Sequence, residues 1–235
     1  VEDDIKKSLK MFKAARVAGV LVTVGKIPEE AGQYLQEMNN NGLPVIGLST
    51  AMDYLDMSYI DTDRVEAGCK VGEHLIAEGH KRLGFIASSF EVSNSSAKKL
   101  EGLKIAAEKA NIPIQDRDIY EGALDYDRAY EIACNILQKD DFPTAFFCNN
   151  DEAVLAFVRA ARDHDVKIPD DVAIVGFDDA EFSAFTTPAI STVAQPCEEI
   201  GDYAAQLMLD FINNGEPEER EIKIFSSELK VRETS

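Results

Sequence analysis

Short clusters of carboxylates, amides and hydroxyls recur directly behind apolar runs: Ser49-Thr50, Asp61-Thr62-Asp63, Asn149-Asn150-Asp151-Glu152 and Asp178-Asp179. Such side chains accept from and donate to the hydroxyls of a sugar or the edge of a nucleobase. In an open α/β sheet the carboxyl ends of parallel strands share one edge, and ligands bind in the crevice outside it. Four polar tips on such strands would converge there. A plainer role competes at every position, because the same residue types cap the helices and turns that follow strands. Asp151 suits a helix N-terminus, as does Asp63 or Thr62, since a negative charge there meets the positive end of the helix dipole. Any single cluster reads as a cap; four clusters that are only caps are less expected.

Paired carboxylates also serve glycosidases and magnesium sites, which demand fixed separations. The chain has no G-x-S-x-G, no Walker loop, no G-x-G-x-x-G and no Cys–His signature, so an enzyme is not expected. Cys69, Cys134, Cys148 and Cys197 are scattered without a C-x-x-C pair, which predicts small buried hydrophobes in a reducing compartment. His74, His80 and His164 lack ligand spacing, and neither a metal nor another cofactor is called for. The pair Lys98-Lys99 in "SSAKKLEG" is placed at a helix start, where cations oppose the dipole. That misplacement raises a functional role beside the commoner solvated face.

The elements that would hold these residues follow from apolar periodicity. Ile5, Leu9, Phe12 and Ala15 recur at helical spacing, and "GVLVTV", "PVIGLS" and "MSYID" are strand-like. A helix after Asp63 places Val65, Gly68, Cys69, Gly72, Leu75 and Ile76 on one face, with Gly68 and Gly72 permitting close approach of a neighbour. Strands "LGFIAS", "DIYEGA", "TAFFCN" and "VAIVGF" then alternate with helical stretches from about Ser95, Asp125 and Asp151. This series predicts right-handed crossovers and parallel sheets covered on both faces. After "STVAQP" a last helix turns Ile200, Ala204, Leu207 and Phe211 inward, and "EIKIFSSELKVRE" alternates as one edge strand.

With 235 residues, 45% of them hydrophobic and 29% charged, the chain is ordinary globular material for one large core or two lobes. Its net charge of −19 excludes direct nucleic-acid binding by this segment, which would need clustered Lys and Arg. No apolar run reaches the roughly 20 residues of a membrane helix. The start "VEDDIKKSLK" is not a signal peptide, and a cytoplasmic location is expected.

The segments "VGEHLIAEGHKRLGFI", "PTAFFCNNDEAVLAFVRAARDHDVKIPDDVAIVGFDDAEFSAFTTPAISTVAQPCEEIG" and "LKVRETS" resemble the LacI/GalR family of bacterial transcription regulators, in order and over nearly the whole chain. The resemblance implies an α/β fold of two Rossmann-like lobes with parallel sheets, of the periplasmic-binding-protein type I, joined by three crossing strands. The lobes would be residues 1–61 with about 195–223, and 62–194 with about 224–235. An effector would occupy the cleft. By the same resemblance the family's helix-turn-helix, hinge helix and first strand–helix–strand unit have no counterpart here.

As carry-overs, Asp178, Asn150 and Asp63 resemble effector ligands. Departures stand at Ser49, where the family often has Asp, and at Lys99, where it has an Arg. Leu103 and Cys197 stand at aromatic positions. Lys offers a point charge where Arg offers a bidentate fork, so a phosphorylated sugar is expected to bind more tightly than the same sugar unphosphorylated, through Lys98 and Lys99. "AKKLEG" with Ser49-Thr50 is similar to the catabolite control protein A branch, which implies a serine-phosphorylated phosphocarrier protein as a co-regulator. The expected function is an effector-sensing regulatory core, homodimeric and reaching operator DNA through a segment absent from this sequence. A periplasmic-type sugar-binding transport protein is the alternative.

Overall fold

The structure is a computed structural model that describes residues 2–23, 29–48, 55–90, 94–215 and 219–235. The chain divides into two units, Val1–Thr62 with Pro196–Phe225 and Asp63–Gln195 with Ser226–Ser235, so it passes between them three times.

Unit 1 carries a four-stranded parallel sheet in the order β1 (Val20–Val22), β2 (Val45–Gly47), β3 (Tyr59–Thr62), β9 (Ile222–Phe225). Helices α1 (Glu2–Ala15), α2 (Glu29–Asn40) and α7 (Cys197–Asn214) accompany it. Successive strand residues point to opposite faces, and β2 shows the consequence. Val45 packs with Leu9, Leu35 and Met38 of α1 and α2, whereas Ile46 packs with Ala204, Met208 and Phe211 of α7. A strand covered on both sides must be apolar at every position, which is why "PVIGL" does not alternate.

Unit 2 is larger. Its sheet runs β10 (Glu228–Lys230), β8 (Ser191–Ala194), β7 (Ala173–Asp178), β6 (Ala145–Cys148), β4 (Leu83–Ala87), β5 (Ile119–Glu121), with only β10 antiparallel. Phe85, Phe147 and Val175 pack beneath α3 (Arg64–Ala77) and α4 (Asn94–Lys109). Their sequence neighbours Ile86, Phe146 and Ile174 pack beneath α5 (Tyr126–Leu137) and α6 (Asp151–Asp163). The predicted series of alternating strands and helices is thus realised as two parallel-dominated sheets.

Two expectations are corrected. "EIKIFSSELKVRE" is not one edge strand: it breaks at Ser226-Ser227 into β9, parallel to β3 in unit 1, and β10, antiparallel to β8 in unit 2. The four cysteines are all free, but only Cys148 is fully buried, and Cys197 is exposed.

Helices α3 and α4 meet backbone to backbone. A Cβ on Gly68 would collide with the Lys99 carbonyl oxygen and the Leu103 nitrogen, and one on Gly102 with the Val65 carbonyl and the Cys69 nitrogen. The paired glycines therefore set the separation of the two helices that deliver Asp63, Arg64, Ser96 and Lys99 to the strand tips.

Candidate functional site at the strand tips of unit 2

The carboxyl edge of the unit 2 sheet gathers Ser88 after β4, Asn149 and Asn150 after β6, Asp178 at the end of β7 and Gln195 after β8. Two of these clusters act as caps. Asp63 Oδ1 accepts from Glu66 N at 2.8 Å and opens α3, and Asn150 Oδ1 accepts from Ala153 N at 2.9 Å and opens α6. Each satisfies one of the amide donors that a helix start leaves unpaired. Asp151 does stand at the N-terminus of α6, as expected, but Asn150 is the cap. Asp151 lies one residue inside α6, 1% exposed, and accepts from Thr192 Oγ1 at 2.5 Å, Ser183 Oγ at 2.7 Å and Ala180 N at 2.8 Å. Burial raises its pKa in spite of those three donors. Its role is to pin the connector between β7 and β8 onto α6.

Asp178 and Asp179 cap nothing; the 3₁₀ turn that follows begins after Ala180 without a side-chain cap. Both have positive φ, 109° and 53°, a backbone region that L-residues enter only when their surroundings hold them there. The restraints are visible. Asp179 N donates to Thr192 Oγ1, while its carboxylate receives Lys230 Nζ at 2.7 Å and Arg232 Nη2 at 2.6 Å. Burial alone would raise the Asp179 pKa, but the two cations outweigh it and hold the group below the usual carboxylate range. Asp178 Oδ1 accepts from Gln195 Nε2 at 2.8 Å. Asp178 keeps an exposed surface, yet crowding around its carboxyl raises its pKa, against the opposing pull of Lys99, Gln195 and Arg64.

Lys99 and Lys98 do not begin the helix as expected. Helix α4 starts at Asn94, which puts the pair in its second turn, where the dipole conflict fades. Lys99 is 2% exposed; its ammonium donates to the Asn149 carbonyl at 2.7 Å and lies 4.0 Å from the centroid of the Phe177 ring. Arg64 stacks over the same ring at 5.6 Å. Two cations thus share one buried aromatic ring, that of the residue before Asp178. Cys197, the first residue of α7, belongs to unit 1, and Ser49 lies outside the described residues. Among the described residues no cluster of metal ligands occurs, and no helix is long and apolar enough to cross a membrane.

The structure thus gathers Lys99, Asn150 and Asp178 on one edge, leaves Asp63 as the cap of α3, and adds four residues that sequence reasoning did not weigh as site residues: Arg64, Ser96, Phe177 and Gln195. Phe177 and Gln195 flank motifs already singled out. Ser96 carries no sequence signal.

Residues 72–235 match the family model described as a periplasmic binding protein-like domain. The chain is 29% identical over 198 residues to catabolite control protein A of Priestia megaterium, covering 84% of this chain and 59% of that protein. It is 31% identical to the transcriptional repressor PurR of Salmonella arizonae, covering 92% of this chain and 63% of that one. The chain therefore spans about three fifths of the length of these two relatives. Among solved structures, the complex of the transcriptional regulator CelR with cellobiose superimposes with a TM-score of 0.89 at 25% identity, covering all of this chain and 71% of that one. These relatives are transcription regulators and not enzymes. The chain belongs to the periplasmic binding protein-like domain family, in the form that LacI/GalR-type regulators use as their effector-binding core.

Proposed function

We propose that this chain is the effector-sensing core of a LacI/GalR-type transcription regulator, and that the strand-tip edge of unit 2 supplies part of its effector site. Asp178 carries the reading. It is a carboxylate on a restrained, positive-φ backbone, with one oxygen engaged by Gln195 and the other without a partner among the described residues. A preset acceptor of this kind suits a ligand hydroxyl, because the ordering cost has been met during folding. Asn150 lies on the same edge and Asp63 opens α3; although each is engaged as a cap, an amide or carboxylate retains further hydrogen-bonding capacity. Ser49 and Cys197 remain part of the reading through the family resemblance alone.

A neutral sugar fits this edge better than a sugar phosphate. Lys99, the cation that would meet a phosphate, is buried and committed to Asn149 and Phe177. The relatives favour a regulator over a transport protein. With a net charge of −19, contact with operator DNA falls to a part of the protein outside this chain. A homodimer follows from the need to read two half-sites. Cytoplasmic location and a serine-phosphorylated phosphocarrier co-regulator rest on the same resemblance. The test is calorimetry of the chain against ribose, glucose, galactose and cellobiose, with Asp178→Ala as the control. Binding of one sugar that is lost in the variant supports the reading; binding of none removes it.

A further inference from the structure

Asn149 stands at the tip of β6, one residue before the cap of α6, and three hydrogen bonds fix its backbone and side chain. Its backbone N–H donates to the Ile86 carbonyl at 2.8 Å, and its carbonyl accepts from Lys99 Nζ at 2.7 Å. Its side-chain Oδ1 accepts from Ser96 Oγ at 2.8 Å, and Ser96 Oγ in turn lies 3.2 Å from Ser88 Oγ. Ser88 can supply the proton that Ser96 accepts, which leaves the Ser96 proton for Asn149 Oδ1. Ser96 itself is fully buried. With Oδ1 facing inward to Ser96, Nδ2 is left with two protons and no partner among the described residues. Asn149 keeps partial exposure. A buried serine held between two strand tips only to orient a partly exposed amide has no account in core packing.

The neighbouring tip explains it. Strands β6 and β7 are adjacent and parallel, and Lys99 touches both the Asn149 carbonyl and the ring of Phe177, the residue before Asp178. An oriented N–H donor at one tip and an acceptor carboxylate at the next are therefore linked through Lys99 and Phe177 on neighbouring strands. Adjacent hydroxyls of a neutral polyol match such a pair, one donating to Asp178 while its neighbour accepts from Asn149. A phosphate or carboxylate ligand would meet the Asp178 charge instead. We propose that Asn149 is a specificity-determining residue of the effector site, donating through Nδ2 to a hydroxyl next to the one that Asp178 binds, and that Ser96 is its positioning residue. This rests on reading the same edge as an effector site.

Titration calorimetry of the full chain with glucose, ribose and cellobiose, and with 2-deoxyglucose, 3-deoxyglucose and 2-deoxyribose, tests it. Asn149→Asp keeps Oδ1 for Ser96 but replaces the donor with a second acceptor, and it should weaken binding of the recognised sugar more than tenfold. Asn149→Ala should weaken it about threefold to tenfold, the value of one neutral hydrogen bond. The decisive comparison is the deoxy sugar that lacks the contacted hydroxyl: it binds the wild type weakly and loses nothing further in Asn149→Ala. Thermal melts of the unliganded variants guard against misfolding. Asn149→Asp that binds as tightly as wild type, or Asn149→Ala that weakens every sugar equally, overturns the proposal while leaving the effector site standing. A wild type that binds no sugar in the panel overturns both.

Discussion

Arg232 and Asp179 meet at 2.6 Å across 53 residues of chain, and the same guanidinium donates to the Ile190 carbonyl at 2.7 Å. Their joint effect is to hold the segment around Arg232 against the end of β7, where Asp178 and Asp179 take positive φ in succession. Both side chains are about one-fifth exposed, so the pair is partly shielded from water and counts for more than a surface salt bridge. Arg232→Ala is expected to lower unfolding stability by about 2 kcal/mol, the range for a charge-assisted hydrogen bond. Urea denaturation measures it. The same variant should loosen Asp178 and weaken sugar binding, whereas an unchanged affinity would separate the clamp from the site.

The acid limb of stability should show the Asp179 clamp directly. A carboxyl whose folded pKa lies below its unfolded value stabilises the fold above the unfolded pKa of about 3.9, and that contribution is lost as pH falls through the lower folded value. Stability should therefore decline below about pH 4, and Asp179→Asn should flatten that decline in denaturation series run from pH 6 to pH 2.5.

Asp178 and Asp151 carry the opposite sign, since burial raises both. Above their folded pKa each ionised group costs stability, and the cost is relieved as pH falls through that value towards the unfolded one. Asp178→Asn is accordingly expected to raise the melting temperature at pH 7 while abolishing sugar binding, a trade between stability and function. A melting temperature unchanged or lowered at pH 7 would count against the electrostatic account.

Gly68→Ala and Gly102→Ala should each destabilise by about 3 kcal/mol, the upper end for overpacking, because the new methyl meets backbone that cannot rotate aside. The two positions face each other, so the double variant should cost much less than the sum. Denaturant midpoints of the three variants decide this, and additivity would mean that the helices do not share one contact.

Lys99→Met preserves the apolar stem over Phe177 but removes the donor to the Asn149 carbonyl. A loss of about 2–3 kcal/mol is expected from the unmet carbonyl and the lost cation–π contact. Because the ammonium is buried, glucose 6-phosphate should bind no better than glucose in either protein. A phosphate preference in the wild type that disappears in the variant would return Lys99 to the ligand.

Local pattern carried much of the architecture. "TAFFCN" and "VAIVGF" are apolar at consecutive positions, and only a strand covered on both faces tolerates that, as Phe146 beneath α6 and Phe147 beneath α3 and α4 bear out. Gly68 and Gly72 at one-turn spacing announced a close helix neighbour, and α4 fills that place. What the sequence could not separate were residues of identical local character. Lys98 and Lys99 are adjacent and equally charged, yet Lys99 is buried against the Asn149 carbonyl and the Phe177 ring while Lys98 stays partly exposed. Asp178 and Asp179 look like a turn cap. Their carboxylates are instead held by Gln195, Lys230 and Arg232, which lie 17 to 53 residues further on. Ser96 gave no warning at all, since a hydroxyl on a helix is unremarkable until Asn149, 53 residues away, presents its oxygen. Periodicity depends on neighbours a few residues apart and is written into the chain itself. Hydrogen-bond partners across a sheet edge are set by strand order, and only the folded tertiary structure brings those strands side by side.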